Sequence, residues 1–298
     1  DERCEAMADK TDGRRVIPGA TVLITGAARG MGELYARRAA REGAAKIALW
    51  DLDEDRATAL AAELASPRGR VGGPVVRVYT VDVSDREAVA DAAARVRDEL
   101  GDPDVVVNNA GIVRGALFWE HDAERDIELT MRVNALAPMW IAREFLPAMI
   151  ADRTRPKRIL NIASAAGTLA NPRMSVYASS KWAMIGWSES LRLELTRTDN
   201  GHVAVTTFCP SYISTGMFAG ARGPLLTPIM RPQQAVQAAW SGMLEGTPMV
   251  LRPWTVKLAM ALRGVLPTRA WDVLGDRVFH VYSSMDRFTG RADERGTP

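Results

Sequence analysis

Cysteine is scarce in this sequence: Cys4 stands in a polar leader, Cys209 ends an apolar run, and 298 residues hold no other. A disulfide framework and a thiolate metal site are thereby excluded, and a reducing, cytoplasmic setting is expected. Histidine is nearly as rare. His121, His202 and His280 lie far apart without metal-ligand spacing, so no metal is expected. No stretch reaches the ~18 uncharged apolar residues of a membrane span. Residues 1–15 mix both charges without the apolar centre of a secretory signal and read as a disordered leader. Charge of one sign is also missing: the net value is +2, which gives no electrostatic footprint for nucleic acid. Hydrophobic content of 47% and charged content of 25% are those of an ordinary globular chain, long enough to bury a large core.

What is present alternates between two periods. The run Thr21-Val-Leu-Ile-Thr25 predicts a strand and Met31 to Glu42 a helix, with Gly26-Ala-Ala-Arg-Gly30-Met-Gly32 between them. Strand, glycine turn and helix N-terminus together form an anion site, because backbone N–H groups and the helix dipole converge on a diphosphate. A second strand, Lys46 to Trp50, ends in Asp51, where a dinucleotide fold presents a carboxylate to the ribose hydroxyls. That carboxylate repels a 2′-phosphate by roughly 4 kcal/mol at about 4 Å and an intermediate dielectric, so NAD is expected over NADP. Arg29 in the glycine turn pulls the other way.

Asp53 to Ala65 reads as helix, Pro67 to Pro74 as a loop, and Val75 to Val81 as a third strand whose exit, Asp82-Val83, is placed to touch an adenine edge. Ser84 is expected to cap the next helix, which ends at Gly101. Strand four, Val105 to Val107, leads into Asn108-Asn109-Ala110-Gly111, small and amide side chains that let backbone approach a cofactor and tie neighbouring strands. A long helical region follows from Asp122 to Ala151, with Asn134 just before a kink expected at Pro138. Strand five, Arg158 to Ile162, ends in Ala163-Ser164. Strand six, His202 to Phe208, gives way to Pro210-Ser-Tyr-Ile213-Ser-Thr215 and a loop to Met230 that reads as a substrate lid. Pro232 to Glu245 predicts a helix and Met249 to Leu251 a seventh strand. The pattern predicts one doubly wound α/β domain over residues 16–252, strand order 3-2-1-4-5-6-7, with the cofactor across the strands' carboxyl ends.

Between strands five and six, Tyr177-Ala-Ser-Ser-Lys181 sets a phenol and an ammonium on one helix face. Moving a tyrosine pKa from about 10 to 7 needs roughly 4 kcal/mol. One ammonium about 4 Å away supplies that much at an effective dielectric of ~20. The pair is therefore a candidate general acid/base, with Lys181 expected to lower the phenol's pKa.

With Thr25-Gly26-Ala-Ala-Arg-Gly30-Met-Gly32, Asp51, Asp82, Asn108 to Gly111, Asn134, Ser164, Tyr177 and Lys181 in place, the chain resembles the short-chain dehydrogenase/reductase family from about Ala20 to Leu251. The resemblance implies a Rossmann-type fold and NAD(P)-dependent transfer of a hydride to or from a CH–OH carbon. It assigns Tyr177 as general acid/base, Lys181 to the nicotinamide ribose, Ser164 to the substrate oxygen, and Asn134 to a water that lets the proton leave. It implies a cofactor site of Gly26, Arg29, Gly30, Met31, Gly32, Asp51, Leu52, Asp82, Val83, Asn109, Ala110, Gly111, Ile162, Pro210, Ile213 and Thr215 besides Tyr177 and Lys181. Ser211 departs from the glycine many relatives carry there. A narrower resemblance, to the NAD-dependent retinol and 17β-hydroxysteroid dehydrogenase branch, rests on Leu49-Trp-Asp-Leu52, Phe145-Leu-Pro-Ala-Met149, Ala163 to Gly167, Ser179 to Trp182, and Leu266-Pro267. Related chains pair as homodimers or homotetramers through the helices from Asp122 and Ser175.

Residues 253–298 exceed the minimal fold and read as a helical extension. Trp254, Val256, Leu258, Ala259, Leu262, Val265 and Leu266 have amphipathic-helix spacing, suited to packing on the core or a second subunit, to a lid, or to peripheral membrane contact. With Met217, Phe218, Leu225, Leu226 and Met230 this helix would roof a site without a buried cation. A bulky apolar secondary alcohol or its ketone is the expected substrate: a steroid, retinoid or terpenoid. The alternatives are an NADP-dependent ketoreductase and a dinucleotide-sensing regulator without turnover.

Overall fold

The computed structural model describes residues 16–66, 72–223 and 227–290. The leader, most of the loop after Ala65, Leu225 and Leu226, and the end of the extension lie outside the described residues. Seven parallel strands form one sheet in the order β3-β2-β1-β4-β5-β6-β7, as the pattern predicts. They are β1 (Thr21–Thr25), β2 (Lys46–Asp51), β3 (Val75–Thr80), β4 (Val105–Asn108), β5 (Lys157–Ile162), β6 (Val203–Pro210) and β7 (Met249–Arg252). The central strands are buried end to end because helices cover both faces, which is why they read as continuous apolar runs.

Period-two alternation sorts these runs into two cores. Val22, Ile24, Ile47 and Leu49 face one side, Leu23, Ala48 and Trp50 the other. The first side is closed by α1 (Gly30–Arg41) and a helix running Pro232–Leu244, whose Trp240 stacks on Tyr35 at 6.0 Å between centroids. On the second, Trp50 meets Phe145 at 6.3 Å. α2 (Glu54–Ala65) and α3 (Arg86–Leu100) follow β2 and β3. The cap of α3 is Asp85, which accepts from Glu87 N and Ala88 N, and not Ser84. Ser84 instead donates its hydroxyl to Asp82 at 2.7 Å, because the turn out of β3 folds it back one residue before the helix begins.

The region read as one helix from Asp122 is built in pieces. A π-helical turn (Ala123–Glu128), one α turn (Leu129–Met131) and a second π-helical turn (Arg132–Leu136) precede α4 (Ala137–Ala151). Pro138 stands in the first turn of α4, where its missing N–H leaves no helical bond unmade. Asn134 lies in the second π turn, an irregular stretch that ends just before Pro138. Then come α5 (Ser175–Arg197), α6 (Pro232–Leu244), α7 (Trp254–Val265), α8 (Thr268–Val273) and a π turn, Leu274–Val278. From Phe279 to Gly290 the extension is not helical. It crosses back over the sheet's carboxyl edge as a strap, where Thr289 N donates to Ala219 O and Arg222 N to Ser284 O.

Candidate active site

Every strand exit singled out from the sequence opens on this one edge. At β1 the chain turns through Gly26 (φ +61°) and Gly30 (φ +61°) into α1, and a Cβ on Gly32 would lie 1.9 Å from the Gly26 carbonyl oxygen. Any side chain at Gly32 is thus excluded by backbone. The α1 N-cap, Arg29, gives no side-chain cap, so the first N–H groups remain free for an anion. Arg29 is exposed and makes no ion pair with a described residue. Met31 packs on the core beneath the turn.

Asp51 leaves β2 beside this turn. Its Oδ2 accepts from Ala28 N at 2.8 Å and its Oδ1 from Asp53 N at 3.0 Å, which fixes the carboxylate against the loop. Capping α2 is left to Asp53. Leu52 is 57% exposed beyond it. Asp82 is exposed at the exit of β3, whereas Val83 is buried in the core, so Val83 offers the cleft backbone and not side chain.

At β4, Asn109 Nδ2 donates to the Thr25 and Gly26 carbonyls at 3.0 Å each, and Ala110 N donates to Thr25 Oγ1 at 3.0 Å. Asn108 ties β4 to β5 by donating to Asn161 Oδ1 at 2.8 Å. The amides thus tie β1, β4 and β5 together, as expected. From β6, Pro210 closes the strand against Arg252, Ile213 is buried and bridged to Met230, and Thr215 Cγ2 lies 4.0 Å from the Cβ position of Gly30, so the two loops face one another across the cleft.

The chemistry-bearing side chains meet between β5 and α5. Tyr177 and Lys181 are both 4% exposed, and Lys181 Nζ sits 5.8 Å from the Tyr177 ring centroid while donating to the Ile162 carbonyl at 2.8 Å. Ser164 caps a short turn, accepting from Ala166 N at 3.1 Å, and its hydroxyl acts to lower the Tyr177 pKa. Asn134 is fully engaged: its Oδ1 accepts from Ile112 N and its Nδ2 donates to Ile112 O, each at 2.9 Å, and to Ser180 Oγ at 3.1 Å. Gly111 keeps the passage between these groups open, since a Cβ there would stand 3.2 Å from Asn134 Oδ1 and 3.6 Å from Lys181 Nζ.

The electrostatics differ from the expectation that the ammonium would dominate the phenol. Burial raises the Tyr177 pKa to about 12, opposed by the Ser164 hydroxyl, and burial lowers that of Lys181 to about 8. Desolvation is the largest cause at both groups because both are shut off from water, and the Lys181 ammonium is turned to the Ile162 carbonyl.

Tail and lid contribute to the burial of Tyr177. Phe218 packs edge-on against Tyr177 at 5.8 Å and against Tyr212 at 5.3 Å, while Met285, Phe288 and Met174 complete the apolar cluster. Phe288 also occupies the place of any side chain at Gly115, whose Cβ would fall 2.4 Å from its ring. Tyr212 Oη lies 2.9 Å from Ser284 Oγ, and Asn171 Nδ2 donates to both. Of these residues Asn171, Met174, Ser284, Met285 and Phe288 escaped sequence reasoning, since no local spacing marks them. A cavity of about 110 Å³ extends from Ser164 beneath α7, walled by Leu169, Trp254, Leu258, Leu262 and Phe279, and no charged residue lines it. Among the described residues there is no cluster of groups suited to a metal, and no helix is long and apolar enough to cross a membrane.

Comparison with known proteins agrees with this geometry. Residues 20–224 match the family model for short chain dehydrogenase. The chain is 35% identical over 266 residues to estradiol 17-beta-dehydrogenase 11 of Rattus norvegicus, covering 89% of this chain and 86% of that one. It is 35% identical over 286 residues to epidermal retinol dehydrogenase 2 of Mus musculus, covering 93% and 88%. Among solved structures, a short-chain dehydrogenase/reductase from Burkholderia phymatum in complex with NAD superposes with a TM-score of 0.73 at 24% identity, covering 83% of this chain and 94% of that one. A short-chain dehydrogenase from Sphingobium yanoikuyae in complex with NADPH gives 0.68 at 27% identity, covering 93% and 100%.

Proposed function

Since the chain belongs to the short-chain dehydrogenase family, an NAD(P)-dependent oxidoreductase family acting on CH–OH groups, we propose that it interconverts a bulky apolar secondary alcohol and its ketone, of steroid, retinoid or terpenoid type, and prefers NAD. The observation that carries the substrate class is the cavity beside Ser164. Its walls come from the lid, α7 and the extension, and they present no charge to a substrate. At about 110 Å³ it is smaller than the ~300 Å³ from which ligand pockets usually begin, so a bulky substrate enters by displacing Phe218 or the strap.

The free glycine turn fits a dinucleotide, because a side chain at Gly32 is excluded and the N-terminus of α1 is uncapped. Gly26 to Gly32 would hold the diphosphate, Asp51 the adenosine ribose, Asp82 and Val83 the adenine edge, and Thr215 with Ile162, Pro210 and Ile213 the nicotinamide end. Bound there, the nicotinamide supplies the acceptor or donor of a hydride. The chain's own side chains handle the proton. Ser164 orients the substrate oxygen by donating a hydrogen bond where charge develops. Tyr177 gives that oxygen a proton in reduction and takes it in oxidation. Lys181, mostly charged at neutral pH, replenishes or drains the phenol. With the Asn134 side chain committed to Ile112, the backbone of its π turn is the group left to hold a proton-relaying water.

Asp51 supports NAD, since a 2′-phosphate would meet a fixed carboxylate. Exposed Arg29 favours the second reading, an NADP-dependent ketoreductase on the same site. Formation of reduced nicotinamide from NAD or NADP, with a panel of steroid, terpenoid and long-chain alcohols, tests both. Turnover with NAD, reduced by roughly 10²-fold or more in Tyr177→Phe, supports the proposal. Turnover confined to NADP would overturn the Asp51 argument, and turnover only of small or charged alcohols would overturn the substrate class.

A further inference from the structure

Helix α7 carries two apolar faces, and the fold covers only one. Val256 is buried, and Ala259 and Leu262 are half-buried toward the cavity. On the other side Trp254 (65% exposed), Leu258 (44%), Ala261 and Val265 (84%) follow one another at spacings of four, three and four, which places them in a single stripe facing solvent. An ordinary surface helix has polar residues there. The helix contains no carboxylate. Lys257 flanks the stripe, and Arg269 and Arg277 follow in the next turns. None of the three forms an ion pair with a described residue. The nearest acids in sequence are Asp272, already accepting from Tyr282 Oη at 2.7 Å, and Asp276. Arg263 lies on the covered side, stacked on Trp182 at 4.9 Å and donating to the Thr168 carbonyl, and so anchors α7 to the turn after Ser164.

We propose that this stripe docks the protein on an anionic lipid surface, with α7 lying in the plane of the headgroups. Apolar side chains beside the unpaired ammonium of Lys257, with no carboxylate on the helix, match such a surface in both respects. A second copy of the chain matches less well, because a two-fold contact across α7 would bring Lys257 toward its own symmetry mate. The docking has a consequence for the site. Trp254 and Leu258 belong to the stripe and also line the cavity, so a lipid-dissolved molecule reaches the cavity wall without crossing water. The docking itself stands independently of which alcohol is turned over.

Flotation of the full chain with phosphatidylcholine vesicles, with and without phosphatidylglycerol, tests it. Wild type is expected to float with the anionic vesicles and to be released by salt. Lys257→Ala should weaken binding on the order of fivefold. The double variant Ala261→Asp, Val265→Asp, with an unchanged melting temperature, should remain unbound. Failure of wild type to float with either vesicle would overturn the proposal, as would equal flotation of the double variant. A wild-type dimer that Val265→Asp converts to monomer, without vesicle binding in either form, would also overturn it and assign the stripe to a second copy.

Discussion

Replacing Lys181 by methionine is expected to stabilise the fold while abolishing turnover. Lys181 is 4% exposed, and its ammonium has one hydrogen bond, to the Ile162 carbonyl. Burial lowers its pKa from 10.5 to about 8. At roughly 1.36 kcal/mol per pKa unit, holding it charged in the folded state at neutral pH costs about 3 kcal/mol. Methionine fills a similar volume without charge, and losing the hydrogen bond to Ile162 offsets about 1 kcal/mol. The variant should therefore gain about 2 kcal/mol near pH 7, a rise of about 3 °C in melting temperature for a chain of this size.

The pH dependence gives the sign its own check. Below about pH 8 Lys181 is charged in both states and the penalty is fully present. Between about 8 and 10.5 the folded side chain is neutral while the unfolded one still binds a proton, so wild-type stability rises with pH relative to the variant. Urea denaturation of both proteins at about pH 7 and about pH 9.5 should show the gap closing. A variant no more stable than wild type at the lower pH, or a gap that ignores pH, would refute the reasoning.

Three further outcomes follow from the geometry. Gly32→Ala puts a Cβ 1.9 Å from the Gly26 carbonyl oxygen, so calorimetry should show dinucleotide binding lost and the melting temperature lowered, because the obstacle is backbone. Asp51→Ser removes the carboxylate fixed on Ala28 N, and the ratio of kcat/KM for NADP over NAD should rise on the order of a hundredfold. Phe288→Ala opens the apolar cover on Tyr177. With less desolvation the phenol's raised pKa falls, and the ascending limb of the oxidation pH–rate profile should move to lower pH.

The sheet order was legible because each strand is a buried apolar run whose exit carries a short-range signal. Gly26 to Gly32, Asp51, Asn108 to Gly111 and the Tyr177–Lys181 spacing are each recognisable within a few residues, and the fold carries them to one edge. Ser84 was misplaced because two neighbours, Ser84 and Asp85, both have capping side chains, and only the turn geometry decides which one stands at the helix start. The strap from Phe279 to Gly290 has no periodicity at all. Its path depends on pairing with Ala219 and Arg222, about seventy residues earlier, and nothing local announces that.

This difference in range determines what tunes the site. Desolvation is the leading cause of the shifts at both Tyr177 and Lys181, and around Tyr177 the lid and strap add Phe218, Met285 and Phe288 to the cover that Val113, Ala166 and Tyr212 give from the strand exits. On the proposed reading, the acid/base pair is therefore a local property, written in a five-residue spacing, while its working pH is a tertiary one. A chain with the same core motifs and a different extension would keep the chemistry and change the pH at which it runs. On this argument the extension performs two tasks with one set of residues. It walls the cavity with Trp254, Leu258 and Leu262, and it withholds water from Tyr177 with Met285 and Phe288. On the proposed reading, opening this cover to water lowers the phenol's pKa, so the residues that roof the cavity also set the readiness of the base.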